Sequence, residues 1–320
     1  MNRIQNSYER TGILPVINIP EAELAEPVAK ALLDGGLSAI EVTLRSECSL
    51  EAIAKIKAAY SQMVIGAGTV LTKEQADNAL AAGADYIVSP GYDEELVDYC
   101  MELGVPIVPG CSTPSEIQRA VKKGLTVLKF FPGELGGGVE AIKLLSGPFP
   151  NVKFLPTGGI NYGNLDQYLA CDKVIACGGS YMANADQVKN RKFDEITENC
   201  KKAVAISLGF ELAHVGINNN SEAEAVSGAE TLNKIFGLPV KAGNSSVFAG
   251  TAVELMKTQF YGSRGHIGFK TNSVARALAW FEDNGIEVNK ESIRYDSKGK
   301  LVSAYIAQEV NGFAVHVVRK

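Results

Sequence analysis

The stretch ILPVINIPEAELAEPVAKALLDGGLSAIEVTL at residues 13–44 decides the fold of the first part of the chain. Its two ends, ILPVINI and SAIEVTL, are short apolar runs with the length and β-branched content of buried strands. The segment between them, EAELAEPVAKALLDGG, has apolar residues at helical spacing and glycines at its carboxyl end, where helices often terminate. A strand, a helix and a second strand in this order predict a parallel pair joined by a crossover helix.

The same unit recurs through the first 205 residues. Further apolar runs follow at residues 63–70, 85–90, 105–110, 126–132, 152–159 and 174–180, and helical stretches such as KEQADNALAAGA separate them. Eight units with continuously apolar strands predict an α/β fold, a (β/α)8 TIM barrel, preceded by a short helix near residues 3–10. An open doubly wound sheet is the alternative, but no G-x-G-x-x-G motif follows the first strand to favour it.

Composition limits what the protein can be. Its 320 residues suggest two domains, and 46% apolar with 21% charged residues excludes a disordered chain. The net charge of -5 argues against nucleic acid as a partner. No apolar run is long enough for a membrane helix, and the first residues have no signal-peptide pattern. The six cysteines contain no C-x-x-C pair, which indicates reduced thiols. We therefore expect a cytoplasmic protein without membrane association.

Charged residues inside two of the predicted strands indicate a reactive site. Lys129 lies in TVLKFFP, a run with no other charge, and burial there favours the neutral, nucleophilic amine that imine chemistry requires. In EVTLR, strand alternation places Glu41, Thr43 and Arg45 on one face. Glu41 could move protons, and Arg45 could hold a substrate carboxylate. Alternatively, Lys129 is neutralised by a buried carboxylate or extends to the surface, and Glu41 and Arg45 pair with each other or with Lys129.

Two glycine pairs end the last two strands of the predicted barrel, in PTGGI and CGGSYM. Barrels commonly bind phosphate through backbone N–H groups at the ends of strands seven and eight. Glycine permits close backbone approach, although tight turns also use it freely. These two segments predict a phosphate site that includes the hydroxyl of Ser180.

The strand-end motifs EVTLR, GAGTV, SPG, LKFFP, PTGGI and GGS, in this order, resemble a known family. Over about residues 8–205 the chain is similar to the 2-keto-3-deoxy-6-phosphogluconate (KDPG) and 2-keto-4-hydroxyglutarate (KHG) aldolases. The resemblance implies a class I aldolase that needs no cofactor and is usually a homotrimer. It would cleave KDPG to pyruvate and glyceraldehyde 3-phosphate, and KHG (4-hydroxy-2-oxoglutarate) to pyruvate and glyoxylate.

The resemblance also implies roles for individual residues. Lys129 would form the imine, and Glu41 would transfer protons. Arg45 and Thr69 would hold the carboxylate of the pyruvyl part. The remaining substrate-binding residues would be Pro90, Phe131 and Thr157 in the pocket and Gly158, Gly159, Gly178, Gly179 and Ser180 at the phosphate.

The pattern changes after the helix that ends near Gly209, which divides the chain into domains at 1–208 and 209–320. ELAHVGI predicts a strand, SEAEAVSGAETLNKIFG a helix, and PVKAG, SSVFAG and TAVELMK three strands. The order then repeats through RGHIGFKT, SVARALAWFEDNG, IEVNKESIRYD, KLVSAYIAQE and GFAVHVVR. The second domain is therefore predicted as an α+β domain of two βαβββ units.

All three histidines of the chain lie in this second domain. His214 and His266 occupy equivalent first strands of the two units, and His316 and Glu254 occupy equivalent last strands. Imidazole and carboxylate ligands suit Zn, Ni, Fe or Mn. A single strand histidine is usually structural, but this symmetric set predicts a divalent metal bound by all four residues.

AHVGI, AVELM and GHIGF resemble the vicinal-oxygen-chelate superfamily, which includes glyoxalase I and the extradiol dioxygenases. Glyoxalases usually carry Glu where this chain has His316, so the resemblance implies a glyoxalase-like module rather than glyoxalase I itself.

Two functional hypotheses follow for the whole chain. Either both halves are enzymes acting on small 2-oxo acids, phosphorylated oxo acids or aldehydes, or the second half is a metal-stabilised binding or assembly module. A phosphosugar isomerase or epimerase is the alternative function for the barrel.

Overall fold

The computed structural model describes residues 2–320. The chain forms two compact units, the first ending at Ser207 and the second spanning Leu208–Lys320. No helix of the described part is both long and apolar enough to cross a membrane. No disulfide joins the six cysteines, which all lie within the described residues.

The first unit alternates strands and helices. Its strands are β1 (Ile13–Ile17), β2 (Ala39–Thr43), β3 (Val64–Gly68), β4 (Tyr86–Val88), β5 (Ile107–Val108), β6 (Val127–Phe130), β7 (Lys153–Pro156) and β8 (Cys177–Gly179). Its helices are α1 (Asn2–Thr11), α2 (Ala25–Asp34), α3 (Ser49–Ala59), α4 (Lys73–Ala81), α5 (Glu94–Glu102), α6 (Pro114–Lys122), α7 (Gly138–Ser146), α8 (Leu165–Leu169), α9 (Ala185–Lys189) and α10 (Phe193–Leu208), the last of which continues into the second unit.

The eight parallel strands close into a ring. Six are paired in the order β5-β4-β3-β2-β1-β8, and β6 pairs with β7. Parallel bridges complete the ring, from Gly110 to Lys129 on one side and from Thr157 to Gly178 on the other. The predicted α/β barrel is confirmed, and the open doubly wound alternative is wrong because its sheet would have two free edges.

The barrel interior is filled near the beginnings of the strands. Leu14, Val64 and Tyr86 belong to one buried cluster with Ile4 and Tyr8 of α1. The Tyr8 ring packs edge-on against Tyr86, with centroids 5.9 Å apart. The first helix therefore supplies core side chains, which leaves the opposite end of the barrel, where the strands finish, available for a site.

Each strand of the barrel ends before its apolar run does. The run at 13–19 contributes a strand only as far as Ile17, and the run at 126–132 only as far as Phe130. Apolar content marks burial, whereas the ladder of hydrogen bonds stops where the chain turns outward. Several predicted site residues consequently lie one to three positions beyond a strand, in the following loop.

The second unit has the element order β-α-β-β-β twice. The first repeat contains β9 (Glu211–Asn218), α11 (Glu222–Phe236), β10 (Val240–Ala242), β11 (Ser246–Ala249) and β12 (Val253–Met256). The second contains β13 (Gly265–Thr271), α12 (Val274–Asp283), β14 (Arg294–Tyr295), β15 (Leu301–Val310) and β16 (Phe313–Arg319), with a short 3₁₀ turn at Lys290–Ser292.

These strands make one mixed sheet in the order β10-β11-β12-β9-β13-β16-β15-β14. The two repeats meet at its centre, where β9 and β13 run antiparallel. On the outer side of each, the last strand of the same repeat runs parallel: β12 beside β9, and β16 beside β13. First and last strands of both repeats thus occupy the four central positions of the sheet.

Candidate active site and candidate metal centre

A buried ion pair spans the barrel interior. Lys129 Nζ of β6 donates to Glu41 Oε1 of β2 at 3.0 Å, across strands four places apart in the ring. Their side chains are 7% and 0% exposed. The second carboxylate oxygen, Glu41 Oε2, is also buried and has no hydrogen-bond partner within the described residues. The pair places an amine next to a carboxylate that retains an unused oxygen, away from bulk water.

The GAGTV segment explains how the carboxylate fits. Gly68, at the end of β3, lies against Glu41, and a Cβ added at Gly68 would come within 2.3 Å of Glu41 Oε1. Any larger residue at this position would displace the carboxylate. The glycine is required here for space rather than for backbone conformation.

Arg45 and Thr69 form a second contact. Arg45 Nε donates to Thr69 Oγ1 at 3.3 Å. Arg45 does not continue the strand as alternation predicted, because β2 ends at Thr43 and Arg45 lies in the following turn. Thr69 has φ 61, a left-handed conformation that is unusual for a β-branched residue and is typical of functional sites. Of the alternatives, Glu41 pairs with Lys129, and Arg45 is associated with Thr69 instead.

A cavity of about 310 Å³ opens where the strands end. Seven of the predicted site residues line it: Arg45, Phe131, Thr157, Gly158, Gly159, Gly179 and Ser180. The Phe131 ring connects this cavity to the ion pair, because its centroid lies 5.6 Å from Lys129 Nζ. Thr43 and Asn18 also line the cavity, and neither was among the predicted site residues.

Three predicted binding residues, Thr69, Pro90 and Gly178, are not part of this wall. Pro90 lies against Gly110, where an added Cβ would come within 2.0 Å of the Pro90 carbonyl oxygen. Gly178 is buried against Thr157, whose Oγ1 would be 2.4 Å from a Cβ at that position. Gly178 therefore lies behind the lining residue Thr157, Pro90 lies beside Gly110, and Thr69 contacts the lining residue Arg45.

The carbonyl oxygens of the glycine turn after β7 accept hydrogen bonds from other parts of the protein. Gly158 and Gly159 have φ of +96 and +83, which non-glycine residues rarely adopt. The carbonyl of Thr157 accepts from Gly133 N at 2.7 Å, and that of Gly158 from Glu134 N at 3.0 Å. The carbonyl of Gly159 accepts from the side-chain amides of Asn161 and Asn164. The three carbonyl oxygens of this turn are therefore paired within the protein, and the anion site predicted here stays a prediction.

In the second unit, the four predicted ligands converge. His214 Nε2 lies 3.1 Å from His266 Nε2 and 3.1 Å from His316 Nε2. Glu254 Oε2 lies 3.1 Å from His266 Nε2 and 3.3 Å from His214 Nε2. All four side chains therefore point to one face of the sheet, with the three histidines as the tightest group.

Two glycines make room for this cluster. Gly216 pairs with Glu254 on one side and His266 on the other, and Gly268 pairs with His214 and His316. A Cβ at Gly216 would lie 2.0 Å from the His266 ring. β9 and β13 share the sequence His-x-Gly. In each strand the histidine supplies a donor, and the glycine two residues later leaves room for the donors of the neighbouring strands.

The surroundings lower the pKa of two of the histidines and orient the carboxylate. Burial lowers the pKa of His214, and burial with its neighbouring histidines lowers that of His316 to about 3. Ser246 Oγ donates to Glu254 Oε1 at 2.6 Å, which directs the other carboxylate oxygen toward the histidines. Burial opposes ionisation of Glu254, but hydrogen bonds from His266 and Ser246 give it a lowered pKa.

A cavity of about 270 Å³ adjoins the cluster. Its wall includes all four donors together with residues that were not predicted, among them Arg294, Phe260 and Tyr305. Tyr305 stacks on the His316 ring, with centroids 4.5 Å apart. These aromatic residues come from segments without a repeated motif, so no sequence signal distinguished them from ordinary core residues.

Comparison with known proteins assigns the first unit. The family model described as KDPG and KHG aldolase matches residues 4–199. The 2-dehydro-3-deoxy-phosphogluconate aldolase of Treponema pallidum is 43% identical over 206 residues, 64% of this chain and 98% of that protein. The KHG/KDPG aldolase of Escherichia coli K12 is 42% identical over 192 residues, 60% of this chain and 90% of that protein.

A solved structure supports the same assignment of the first unit. KDPG aldolase from Legionella pneumophila, with pyruvate captured as a covalent carbinolamine, superposes with a TM-score of 0.61 at 38% identity, covering 62% of this chain and 97% of that one. Fold and relatives thus define an aldolase, a carbon–carbon lyase. The chain belongs to the KDPG and KHG aldolase family.

Proposed function

We propose that the barrel is a class I aldolase that cleaves KDPG to pyruvate and glyceraldehyde 3-phosphate, and KHG to pyruvate and glyoxylate. The observation that carries the proposal is the buried contact of 3.0 Å between Lys129 Nζ and Glu41 Oε1. Relatives named for one or both substrates support the choice. Assembly of the chain into homotrimers stays a prediction.

The chemistry begins at Lys129. Its neutral amine adds to the C2 ketone of the substrate, and loss of water gives a protonated imine. When the C4 hydroxyl loses its proton, the C3–C4 electron pair moves toward the imine, the aldehyde leaves, and an enamine remains. Protonation at C3 followed by hydrolysis releases pyruvate and regenerates the amine.

Glu41 is the group placed to carry these protons. Its Oε1 already accepts from the amine, and its Oε2 is buried without a protein partner. A carboxylate in this position can take the proton released on addition and return one to the departing hydroxyl or to the enamine carbon. No other carboxylate in the described part contacts Lys129 Nζ.

The rest of the substrate would lie along the cavity. Arg45, steadied by Thr69, offers a guanidinium to the substrate carboxylate at one side. The turns at Gly158, Gly159 and Ser180 line another part of the same cavity and would receive the phosphate of KDPG. The roles of these residues remain part of the proposal.

Borohydride reduction tests the imine against a phosphosugar isomerase or epimerase. We expect pyruvate with borohydride to inactivate the wild-type chain irreversibly, and borohydride alone to leave it active. Lys129→Ala should cleave neither substrate and form no adduct. A full-yield adduct in that variant, or a wild-type chain unaffected by the treatment, would contradict the proposal.

We propose further that His214, Glu254, His266 and His316 hold one divalent transition metal, Zn, Ni, Fe or Mn. The convergence of the four donors supports this. Donors about 2.1 Å from one ion stand roughly 3.0–3.4 Å apart at octahedral to tetrahedral angles. Four of the six donor–donor distances, at 3.1 to 3.3 Å, fall in that range, and the three histidine donors all lie within 4.8 Å of one another.

The donor set also fits a cation chemically. Three imidazole Nε2 atoms around one point cannot all satisfy one another, because a contact between two ring nitrogens holds at most one proton. The buried Nδ1 atoms of His266 and His316 have no partner in the described part of the chain. A bound metal would act there as a Lewis acid toward a carbonyl oxygen or water. A metal-stabilised binding or assembly module is the second interpretation of this unit.

Metal analysis of the purified full chain tests this proposal. We expect about one transition-metal ion per chain, and Glu254→Gln should reduce the occupancy strongly. Glu309→Gln is the matched control, since Glu309 is an exposed residue of the same unit. Wild-type protein that carries no stoichiometric metal and shows no thermal shift with Zn²⁺, Ni²⁺, Mn²⁺ or Fe²⁺ would overturn it.

A further inference from the structure

One polar residue in the first strand run has no explanation in the roles given above. Asn18 is the only polar residue in ILPVINI, and it follows directly after β1, which ends at Ile17. Its side chain lines the cavity of the barrel. The carboxamide oxygen Oδ1 is fully buried and has no hydrogen-bond partner within residues 2–320.

Strand register shows where Asn18 lies relative to the reacting centre. Val16 pairs with Glu41 of the neighbouring strand, so the two residues are at the same level. Asn18 is two residues further along and points to the same face, about 6.6 Å nearer the open end of the barrel. The paired residues end at Ile17 and Val42, and the next residue along each chain segment, Asn18 and Thr43, lines the cavity.

On the other side, Pro15 of β1 pairs with Gly179 of β8. Asn18 therefore lies on the wall between the Arg45 side of the cavity and the Ser180 side. If the substrate carboxylate binds on the Arg45 side and the phosphate on the Ser180 side, the middle carbons of the substrate lie next to the Asn18 carboxamide.

The chemistry of the group identifies what it would bind. A buried carbonyl oxygen without a partner is costly, and a ligand that donates a hydrogen bond removes that cost. Phosphate dianions and carboxylates offer only acceptors, whereas a hydroxyl group donates to Oδ1 and can also accept from Nδ2. Asn18 thus suits a hydroxyl group rather than either anionic end of the substrate.

We propose that Asn18 binds the C5 hydroxyl of the sugar acid and is a specificity-determining residue for six-carbon substrates. This inference rests on the proposed aldolase function. The C4 hydroxyl must lose its proton near Glu41, one level deeper, which leaves the hydroxyl at C5 for Asn18. In KHG the fifth carbon is a carboxylate, so that substrate cannot make the same contact.

The test compares three substrates with wild type and Asn18→Leu, which removes the amide at similar size. KDPG and its unphosphorylated analogue 2-keto-3-deoxygluconate both carry the C5 hydroxyl, and KHG does not. We expect kcat/KM to fall about tenfold on both six-carbon acids, as one lost hydrogen bond predicts, and to stay within about twofold on KHG. Asn18→Ser, which keeps a hydroxyl, should recover part of the loss.

Borohydride trapping of pyruvate in each variant shows that the protein is folded and that the imine site is intact. Equal loss on all three substrates, or no loss on KDPG, would overturn the inference while leaving the aldolase in place. If the wild-type chain forms no imine at all, the proposed function itself fails. If it forms the imine but cleaves neither six-carbon acid, the role of Asn18 and the proposed KDPG cleavage both fail, and the imine chemistry with KHG still stands.

Discussion

The two units bury polar groups in different ways. In the barrel, Lys129 and Glu41 are an amine and a carboxyl group, and the amine donates to the carboxyl oxygen at 3.0 Å. In the second unit, His214, His266 and His316 crowd together as like groups, with Glu254 on one side. The barrel pair contains both a donor and an acceptor, with Glu41 Oε2 left without a partner in the described residues, whereas in the histidine cluster Nε2 of His214 meets the Nε2 atoms of both other histidines.

We infer from this difference that the histidine cluster, unlike the barrel pair, depends on a cation from outside the chain. The barrel supplies its own reagent, an amine, and its own proton carrier. The second unit presents donors whose burial lowers the pKa of His214 and His316, so that their nitrogen lone pairs stay available to a cation. The two sites should therefore respond separately to changes in side chains and in metal supply.

The largest effect is expected from Glu41→Gln. The amide keeps the size of the side chain but cannot accept and return a proton, so cleavage of both substrates should fall by about 10²–10⁴-fold. Metal content should be unchanged. Steady-state assays and metal analysis on the same preparation measure both, and near wild-type turnover would contradict the role of Glu41.

Removal of the metal is the complementary test. A chelator should lower the thermal midpoint of the full chain. A metal ion whose free concentration is 100 to 1,000 times its Kd adds about 3–4 kcal/mol to the free energy of unfolding, and the chelator removes that contribution. Aldol cleavage below the transition should be unaffected, since no predicted barrel residue is a metal ligand. Loss of cleavage on chelation, restored by Zn²⁺, would show that the two sites are not independent.

A smaller effect is expected from Gly268→Ala. The added Cβ would lie 2.6 Å from both His214 Cε1 and His316 Nε2, so the cluster must shift. We expect a loss of about 1–3 kcal/mol in stability together with reduced metal binding. Gly91→Ala is a control, because a Cβ there meets nothing within 4 Å. Full metal occupancy in Gly268→Ala would show that the cluster is not tightly packed.

The smallest effect concerns Ser180→Val. If the hydroxyl binds phosphate, kcat/KM on KDPG should fall by about tenfold, while the phosphate-free KHG should be spared. Kinetics on the two substrates measure the difference. An equal loss on both would mean that Ser180 shapes the pocket in general.

The order of the barrel elements could be predicted from sequence, but the ends of its strands could not. Apolar runs identify buried segments, yet β3 stops at Gly68 and leaves Thr69 in a left-handed turn that no periodicity predicts. The partner of Lys129 also stayed open, because Glu41 and a surface position were both compatible with the pattern. Closure of the barrel brings β2 opposite β6, and this places Glu41 next to Lys129.

Asn18 was missed although a signal was present. It is the single polar residue in an otherwise apolar run, as Lys129 is the single charged residue in its own. In the second unit, by contrast, the equivalent positions of four donors in two repeated units were sufficient to predict that they meet at one site. Internal repetition gave information there that a single barrel strand lacks.

Peptide mapping after borohydride reduction in the presence of pyruvate tests the central claim most directly. The account predicts one reduced pyruvyl group per chain, located on Lys129, with the metal still bound in the second unit. An adduct on any other lysine, or an unmodified chain that still cleaves KDPG, would contradict it.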